Sequence, residues 1–465
     1  MTFKRIALPI LVGLVLGAST AASLAGPNLV CIIADDCTWT DLGAYGGQAA
    51  TPNLDRLCSE GKKFTHCFQA APMCSPTRQN LMTGLYPVRS GAYPNHTFVK
   101  DGVKSVCHYL GDLGYRVALS GKRHIAPEEA FPFDYSGGAN PDFAAIDTLL
   151  SDCKSREQPF CLFVCSNEPH SPWNKGDPSR YKPSDLELRP YWRDNPALRR
   201  AYSKYLAEIT FFDGQVGKTL DLLDKHQLTD DTVVMVLSEQ GNGFPFAKWT
   251  CYDAGLRSAM VVRWPGHIAP GTVTDAMVEY VDVTPTFVEL AGGVPPEGLD
   301  GRSFSPVLLG RSDEHKEYVY GVQTSNGIYQ FDGHYGRRSI RSPRYHLIWN
   351  VNADSRFDNG ISKSRYFAEW RRASAAGDEE AAALVERFHQ PPEYEFFDTQ
   401  SDPDELHNLA EAPEHAERIA AMKGRLTAWM ESQGDLGRAT EADALSRMIN
   451  GNAAARAAAN ARNKN

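Results

Sequence analysis

The sequence predicts an α/β protein, a three-layer α/β/α domain around a mostly parallel central sheet, followed by a smaller C-terminal α+β domain with a short antiparallel sheet. Three observations carry this reading. Apolar runs at 29–34, 160–165 and 232–237 are each unbroken and each end in polar residues, as strands buried on both faces of a parallel sheet do. Helical periodicity lies between them, most clearly over 199–225, where Leu206, Ile209, Phe212, Val216, Leu220 and Leu223 share one face. Strand, crossover helix and strand in repetition build layers. Beyond Gly310 the apolar runs shorten and turns multiply.

Taken in order, residues 1–25 read as a signal peptide. Lys4 and Arg5 precede an apolar run over 6–18, then Ser19-Thr20-Ala21 or Ser23-Leu24-Ala25 offers a cleavage site. The run is shorter than the roughly 20 residues needed to span a bilayer. A periplasmic or secreted location is expected, without stable membrane insertion. Residues 26–325 are expected to form the first and larger domain. Its opening strand ends in Asp35-Asp36, and Thr51-Pro52 starts a helix with Thr51 as cap and Pro52 in the first turn. The second run precedes Ser166-Asn167-Glu168-Pro169-His170, the third precedes Ser238-Glu239-Gln240, and 259–262 follows as another strand. A helix over 282–290 takes Pro285 in its first turn. Short strands at 319–323, 327–330, 339–340 and 344–349, with a helix over about 413–433, fit the smaller domain, set at 326–435. The tail, 436–465, is rich in Ala, Asn and Arg and reads as a frayed helix or disorder.

The chain has 465 residues and a net charge of -9, which argues against a nucleic-acid partner. A local basic pocket on an acidic protein still accepts an anion, and Arg78, Lys122 and Lys248 are able to supply one. Ten cysteines are too few for a disulfide-built scaffold of this size. Cys161 and Cys165 read as core thiols, and no Cys-x-x-Cys suggests a redox pair or zinc knuckle.

Adjacent carboxylates such as Asp35 and Asp36 repel unless a cation or protons compensate; a turn or helix cap is the plainer reading. Glu239 and Gln240 offer a carboxylate and an amide oxygen at another strand end. The four side chains suit an oxygen cage of the calcium type, with magnesium second because it demands tighter octahedral geometry. Lys122 and His124 alternate after 119–121, so an extended segment puts them on one side. Cys74 and Arg78, four apart, share a helix face; Cys74 otherwise reads as a buried structural thiol.

Cys74-Ser75-Pro76-Thr77-Arg78 followed by Leu81-Met82-Thr83-Gly84 resembles the nucleophile signature of the sulfatase family. The resemblance extends through Asp35-Asp36, Thr51-Pro52-Asn53-Leu54-Asp55, Gly121-Lys122-Arg123-His124, Pro169-His170-Ser171-Pro172, Lys248 to Gly255 and Arg263-Trp264-Pro265-Gly266. It implies an alkaline-phosphatase-like fold and a formylglycine formed from Cys74 by a formylglycine-generating maturation enzyme. In that family one hydroxyl of the hydrated aldehyde attacks sulfur, and the other later loses its proton so that sulfate is expelled. By the same resemblance Asp35, Asp36, residue 74, Glu239 and Gln240 hold a calcium ion. Arg78 holds the formylglycine hydroxyl and ligand carboxylates, Lys122 clamps a sulfate oxygen, and His124 is the base that promotes collapse. His170 and Lys248 contact sulfate and its bridging atom, with His170 protonating the leaving group.

One departure stands out. The family's usual pair at the second strand end is Asp followed by Asn or His, whereas this chain has Glu239-Gln240. Compared with Asp-Asn, both side chains are one methylene longer, so the cation sits differently. That places the sequence near sulfatases of glycosaminoglycans and N-sulfoglucosamine, and the expected substrate is a sulfated saccharide carrying an ester or a sulfamate. A phosphonate or phosphate monoester hydrolase of the same fold is the alternative within chemistry. A non-catalytic sulfoglycan-binding protein is the alternative outside it. Arg89, Tyr93, His96, the 181–192 stretch, Arg341 and His346 are candidates for a sugar cleft.

Overall fold

The computed structural model describes residues 26–331 and 333–449; the expected signal peptide lies outside them. Nine strands form the large sheet: β1 (Asn28–Ile33), β2 (Lys62–Phe68), β3 (Arg116–Gly121), β4 (Asp134–Ser136), β5 (Phe160–Cys165), β6 (Thr232–Leu237), β7 (Arg257–Arg263), β8 (Thr272–Thr274) and β9 (Val278–Glu279). The order is β4-β3-β5-β1-β6-β7-β2-β8, with β9 beside β2. The run from β4 to β6 is parallel throughout. β7 is antiparallel to both β6 and β2, because the chain after β6 returns directly rather than through a crossover helix.

Strand alternation makes the three layers. Val30 and Ile32 of β1 pack in one core with Leu54, Leu57, Leu206 and Leu220. Leu29, Cys31 and Ile33 enter a second core with Leu81, Met82, Val283 and Phe287. A continuous apolar strand is therefore covered by helices on both sides. The first core is closed by the 30-residue helix Pro196–Lys225, matching the periodicity in the sequence.

α1 (Pro52–Glu60) has Pro52 at its start, but Thr51 makes no side-chain cap to the helix. The Asp213 carboxylate takes that role from the long helix, accepting from the backbone N–H groups of Asn53 at 3.1 Å and Leu54 at 2.8 Å. A tertiary carboxylate thus satisfies orphan donors that a local cap would otherwise meet. α2 (Cys74–Thr83) begins at Cys74 and is buried along its whole length.

The smaller sheet is an antiparallel meander of β10 (Val319–Gln323), β11 (Arg337–Arg341), β12 (Tyr345–Asn350) and β13 (Tyr394–Asp398). Helix Ala416–Gln433 packs against it through Ile419, Met422 and Leu426. β10 lies before position 325, yet it pairs with this second sheet. The strand expected at 327–330 is instead a loop, with Gly327 at a φ of 83°. The described part of the expected tail is also structured. Residues Arg438–Asp443 are helical, Glu441 is buried and accepts from the Thr324 hydroxyl, and the Ile449 N–H donates to the His96 carbonyl. Among the described residues no helix is long and apolar enough to cross a membrane.

Candidate active site

Parallel strands in register deliver their following residues to one edge. Ile33 of β1 pairs with Leu237 of β6 and with Cys165 of β5, and Cys165 pairs with Gly121 of β3. Asp35, Glu239, Lys122 and the loop to His170 therefore leave four adjacent strands at the same carboxyl edge, where open α/β sheets bind ligands. Asp36 and Glu239 both adopt a φ of 62°, a left-handed conformation uncommon for residues with a Cβ. These turns direct the side chains toward one point instead of continuing the strands.

Cys74 meets them there. Its sulfur lies 3.8 Å from Asp36 Oδ1 and accepts at 2.9 Å from the Gln240 amide nitrogen. Ligand atoms of Asp35, Asp36, Cys74 and Glu239 all lie within 4.8 Å of one another, and all four residues are buried. Around them stand three cations. Arg78 Nε is 2.7 Å from Glu239 Oε1, Lys248 donates to Asp36 Oδ2 at 2.6 Å, and Lys122 pairs with Asp35. An Arg78 Nη1 group also donates to the Lys122 carbonyl at 3.1 Å. His170 Nε2 faces Asp36 Oδ2 at 3.5 Å, while its Nδ1 is 2.6 Å from the Ser171 carbonyl.

Burial and charge set the protonation states. Burial pushes the Cys74 thiol up to about 12, although Lys248 opposes it, so the unmodified residue is a protonated thiol and a weak nucleophile. Burial alone would raise Asp36, but Lys248 and His170 hold it below the usual carboxylate range. Burial also opposes the charge on Lys248, yet Asp36 keeps it above the ordinary lysine value. Lys122 is drawn down to about 8 by burial, which Glu239 only partly offsets. Asp36 favours charged His170, but burial with Lys248 and Lys122 outweighs it and brings the imidazole to about 4.

The donor set fits a hard divalent cation. Asp35 Oδ1, both Glu239 oxygens and Gln240 Oε1 are buried with no hydrogen-bond donor among the described residues; the Arg78 contact to Glu239 is a charge contact without hydrogen-bond alignment. Such oxygens are costly unless something positive meets them. The Gln240 amide nitrogen donates to Asp36 Oδ1 at 2.7 Å, and turning the amide over presents its oxygen to the same cluster. Three carboxylates facing three cations leave the centre near neutral. A divalent ion added there makes it positive, as an anionic ester requires.

All ten positions expected at the site surround one cavity of about 1000 Å³ or the cage at its floor: Asp36, Cys74, Lys122, His124, His170 and Lys248 line it. Asp35, Arg78, Glu239 and Gln240 lie beneath, within the contacts given above. His124 arrives there differently than expected, at a φ of 47° beyond the end of β3, so a left-handed turn rather than strand alternation aims it. Its Nε2 is 3.0 Å from His96 Nδ1. His96 also lines the cavity. The other sugar-cleft candidates do not. Arg89 pairs with Asp300, Tyr93 donates to the Thr440 carbonyl, and Tyr191 and Trp192 are buried in the first core. Arg341 and His346 belong to a buried network with Asp253 and Glu405 that ties β11 and β12 to the end of the β6–β7 connection. The cavity wall is supplied by residues that the sequence did not single out, including Trp173, Tyr329, Phe331 and Met448. Trp173 directly follows the Pro169–Pro172 segment, a proximity that was visible in the sequence.

A doubly wound sheet that gathers strand-end carboxylates, lysines and histidines around the first residue of a buried helix defines a hydrolase of the alkaline-phosphatase-like superfamily. The chain belongs to the sulfatase family, in its type I, formylglycine-dependent group related to glycosaminoglycan and N-sulfoglucosamine sulfatases. The family described as Sulfatase matches residues 27–148 and 143–294. The family described as N-sulphoglucosamine sulphohydrolase, C-terminal, matches 241–358. An ulvan-active sulfatase of Formosa agariphila is 34% identical over 424 residues, covering 88% of this chain and 81% of its own. The N-sulphoglucosamine sulphohydrolase of Homo sapiens is 27% identical, with 86% of this chain and 89% of its own covered. A solved structure in complex with its substrate D-glucosamine-2-N,6-O-disulfate shares the fold at a TM-score of 0.67 and 18% identity, over 88% of this chain and 99% of that one.

Proposed function

We propose that the protein hydrolyses a sulfate ester or sulfamate on a saccharide and releases inorganic sulfate, using a formylglycine made from Cys74 and a calcium ion. The observation that carries this reading is the meeting of Cys74, at the first turn of α2, with the acidic tips of β1 and β6 and their unpartnered oxygens. The sulfated saccharides acted on by the relatives support the substrate class. The first 25 residues would export the chain to the periplasm or beyond, and a maturation enzyme would oxidise Cys74 before use.

Asp35, Asp36, Glu239, Gln240 and the oxygen of residue 74 would hold the ion. When bound, calcium polarises a sulfate oxygen and neutralises charge. The hydrated formylglycine supplies one hydroxyl to attack sulfur and a second through which sulfate is later expelled. The chain's own residues do the rest. Lys122 and Lys248 bind the peripheral oxygens of sulfate, and the N-terminus of α2 favours the anion there. Arg78 holds Glu239 in place. His170 Nδ1 donates to the Ser171 carbonyl, so Nε2 carries a transferable proton in the imidazolium form, which Asp36 and the bound anionic ester favour. Nε2 of that form passes its proton to the departing oxygen or nitrogen. His124 Nδ1 is buried without a partner among the described residues and takes the proton released at residue 74.

The test is mass spectrometry of the tryptic peptide ending at Arg78 after co-expression with the maturation enzyme. Fragment ions must place an aldehyde at position 74 and leave Cys67, in the same peptide, a thiol; an intact thiol at both contradicts the reading. His170→Ala is expected to lower turnover of a sugar sulfate about 10²–10⁴-fold, and of 4-nitrophenyl sulfate by less than about tenfold, because nitrophenolate leaves without a proton. Equal losses on both would remove His170 from leaving-group protonation. Glu239→Ala should weaken calcium binding at least about tenfold by calorimetry; unchanged affinity would mean that the ion sits elsewhere.

A further inference from the structure

We infer that the cavity outside the sulfate centre is built for a neutral, apolar-faced leaving group, so the protein takes substrates whose only anion is the sulfate it removes and discriminates against a second sulfate or a carboxylate. This inference rests on the proposed sulfate-releasing reaction and names the substrate class of that same site.

The distribution of charge around the cavity carries it. Its volume of about 1000 Å³ is at the upper end for small-molecule pockets, so the wall reaches well beyond a sulfate group. Among the described residues lining it, the acidic, basic and thiol side chains gather at the sulfate centre: Asp36, Cys74, Lys122, His124, His170 and Lys248, with His96 against His124. The outer wall has none. It consists of Trp173, Ile328, Tyr329, Phe331, Tyr366 and Met448, interspersed with the amides of Asn95, Asn326 and Gln330. In a chain that is 23% charged, the lack of a Lys, Arg, Asp or Glu among the described residues of this wall is a specific feature of the site. Two cations close in sequence to the wall are engaged elsewhere. Lys363 donates to the Gln330 carbonyl, and Arg447 donates to the carbonyls of Gly91 and Phe98; neither lines the cavity.

The wall is also held in shape. Trp173 stacks on Phe244 with centroids 5.1 Å apart, and its indole N–H donates to the Pro169 carbonyl at 2.8 Å. The Tyr366 hydroxyl donates to the Gly243 carbonyl at 3.1 Å. Met448 is fixed by a bridge to Thr97. Rigid aromatic and aliphatic surfaces suit the C–H faces of a sugar ring, and amides serve both donor and acceptor roles for neutral hydroxyls. A second anion placed here loses its hydration and finds no positive partner, which is unfavourable. The inner lysines and the ion are engaged with the reacting sulfate and do not compensate it.

The test uses the formylglycine-bearing, calcium-loaded protein and two esters of equal size, 4-carbamoylphenyl sulfate and 4-carboxyphenyl sulfate. The neutral ester is expected to show a KM at least about tenfold lower, with the difference in KM rather than kcat. Gln330→Arg places a cation in the wall and is expected to narrow that gap by lowering the KM of the carboxylate ester. Equal KM values in the wild type, or a gap that the arginine leaves unchanged, would overturn the inference. If neither ester is hydrolysed, it is the reaction that fails. Calorimetric binding of the same two esters to Cys74→Ala protein then still decides the inference, by tighter binding of the neutral ester or by no difference.

Discussion

Replacing Cys74 by alanine is expected to lower kcat/KM for any accepted sulfate ester by at least about 10⁴-fold, as loss of a covalent nucleophile does. The fold should survive. The Cys74 side chain contributes one weak contact to Asp36 and one acceptor to Gln240, and alanine favours the helix it starts. Circular dichroism and the denaturation midpoint therefore stay near wild type while sulfate release, followed by ion chromatography, disappears. Cys74→Ser supplies one hydroxyl where the proposed centre uses two, so it too should fail to turn over repeatedly. Sulfate release from Cys74→Ala at near wild-type rates would take residue 74 out of the reaction.

Arg78→Ala is expected to damage both stability and activity. Arg78 and Glu239 are 1% and 0% exposed and in direct charge contact. Removing the guanidinium leaves a buried carboxylate beside Asp35 and Asp36 with less compensation, a change that costs about 3–5 kcal/mol in comparable buried pairs. The Lys122 carbonyl loses its donor at the same time. The denaturation midpoint should fall accordingly, and calcium at saturating concentration should recover part of it by binding the folded state. Arg78→Lys keeps the charge but not the planar fork, so it should recover only part of the loss. An unchanged midpoint in Arg78→Ala would mean that the pair is not structural.

Much of this centre was legible because its causes are local. β1, β5 and β6 are unbroken apolar runs, so their ends, and hence Asp35, Glu239 and the approach to His170, follow from where polarity begins. The Cys74–Arg78 spacing places both on one face of α2 for the same reason. What was not legible depends on distant partners. Thr51 carries every mark of a helix cap, but Asp213 occupies that position from another helix. The 327–330 stretch has strand-like residues, but it makes no ladder and lines the cavity instead. β13 and the helices Arg365–Ala375 and Glu379–His389 pack against elements far away in sequence, so their own patterns are short. Trp173, Tyr329 and Met448 meet only in the folded chain. The described end of the chain reads as a tail by composition, and it is ordered by Glu441 and Arg447 reaching back to residues near 324 and 91.

The central claim is that an oxidised residue 74 and a cation share one point in space. Crystals of the matured protein grown with calcium, measured at a wavelength where calcium scatters anomalously, test it most directly. The account predicts one strong anomalous peak bounded by Asp35, Asp36, Glu239 and Gln240, with the oxygen of residue 74 in its coordination shell. An anomalous map without a peak there, or a peak at a different cluster such as Asp253, His346 and Glu405, would contradict it.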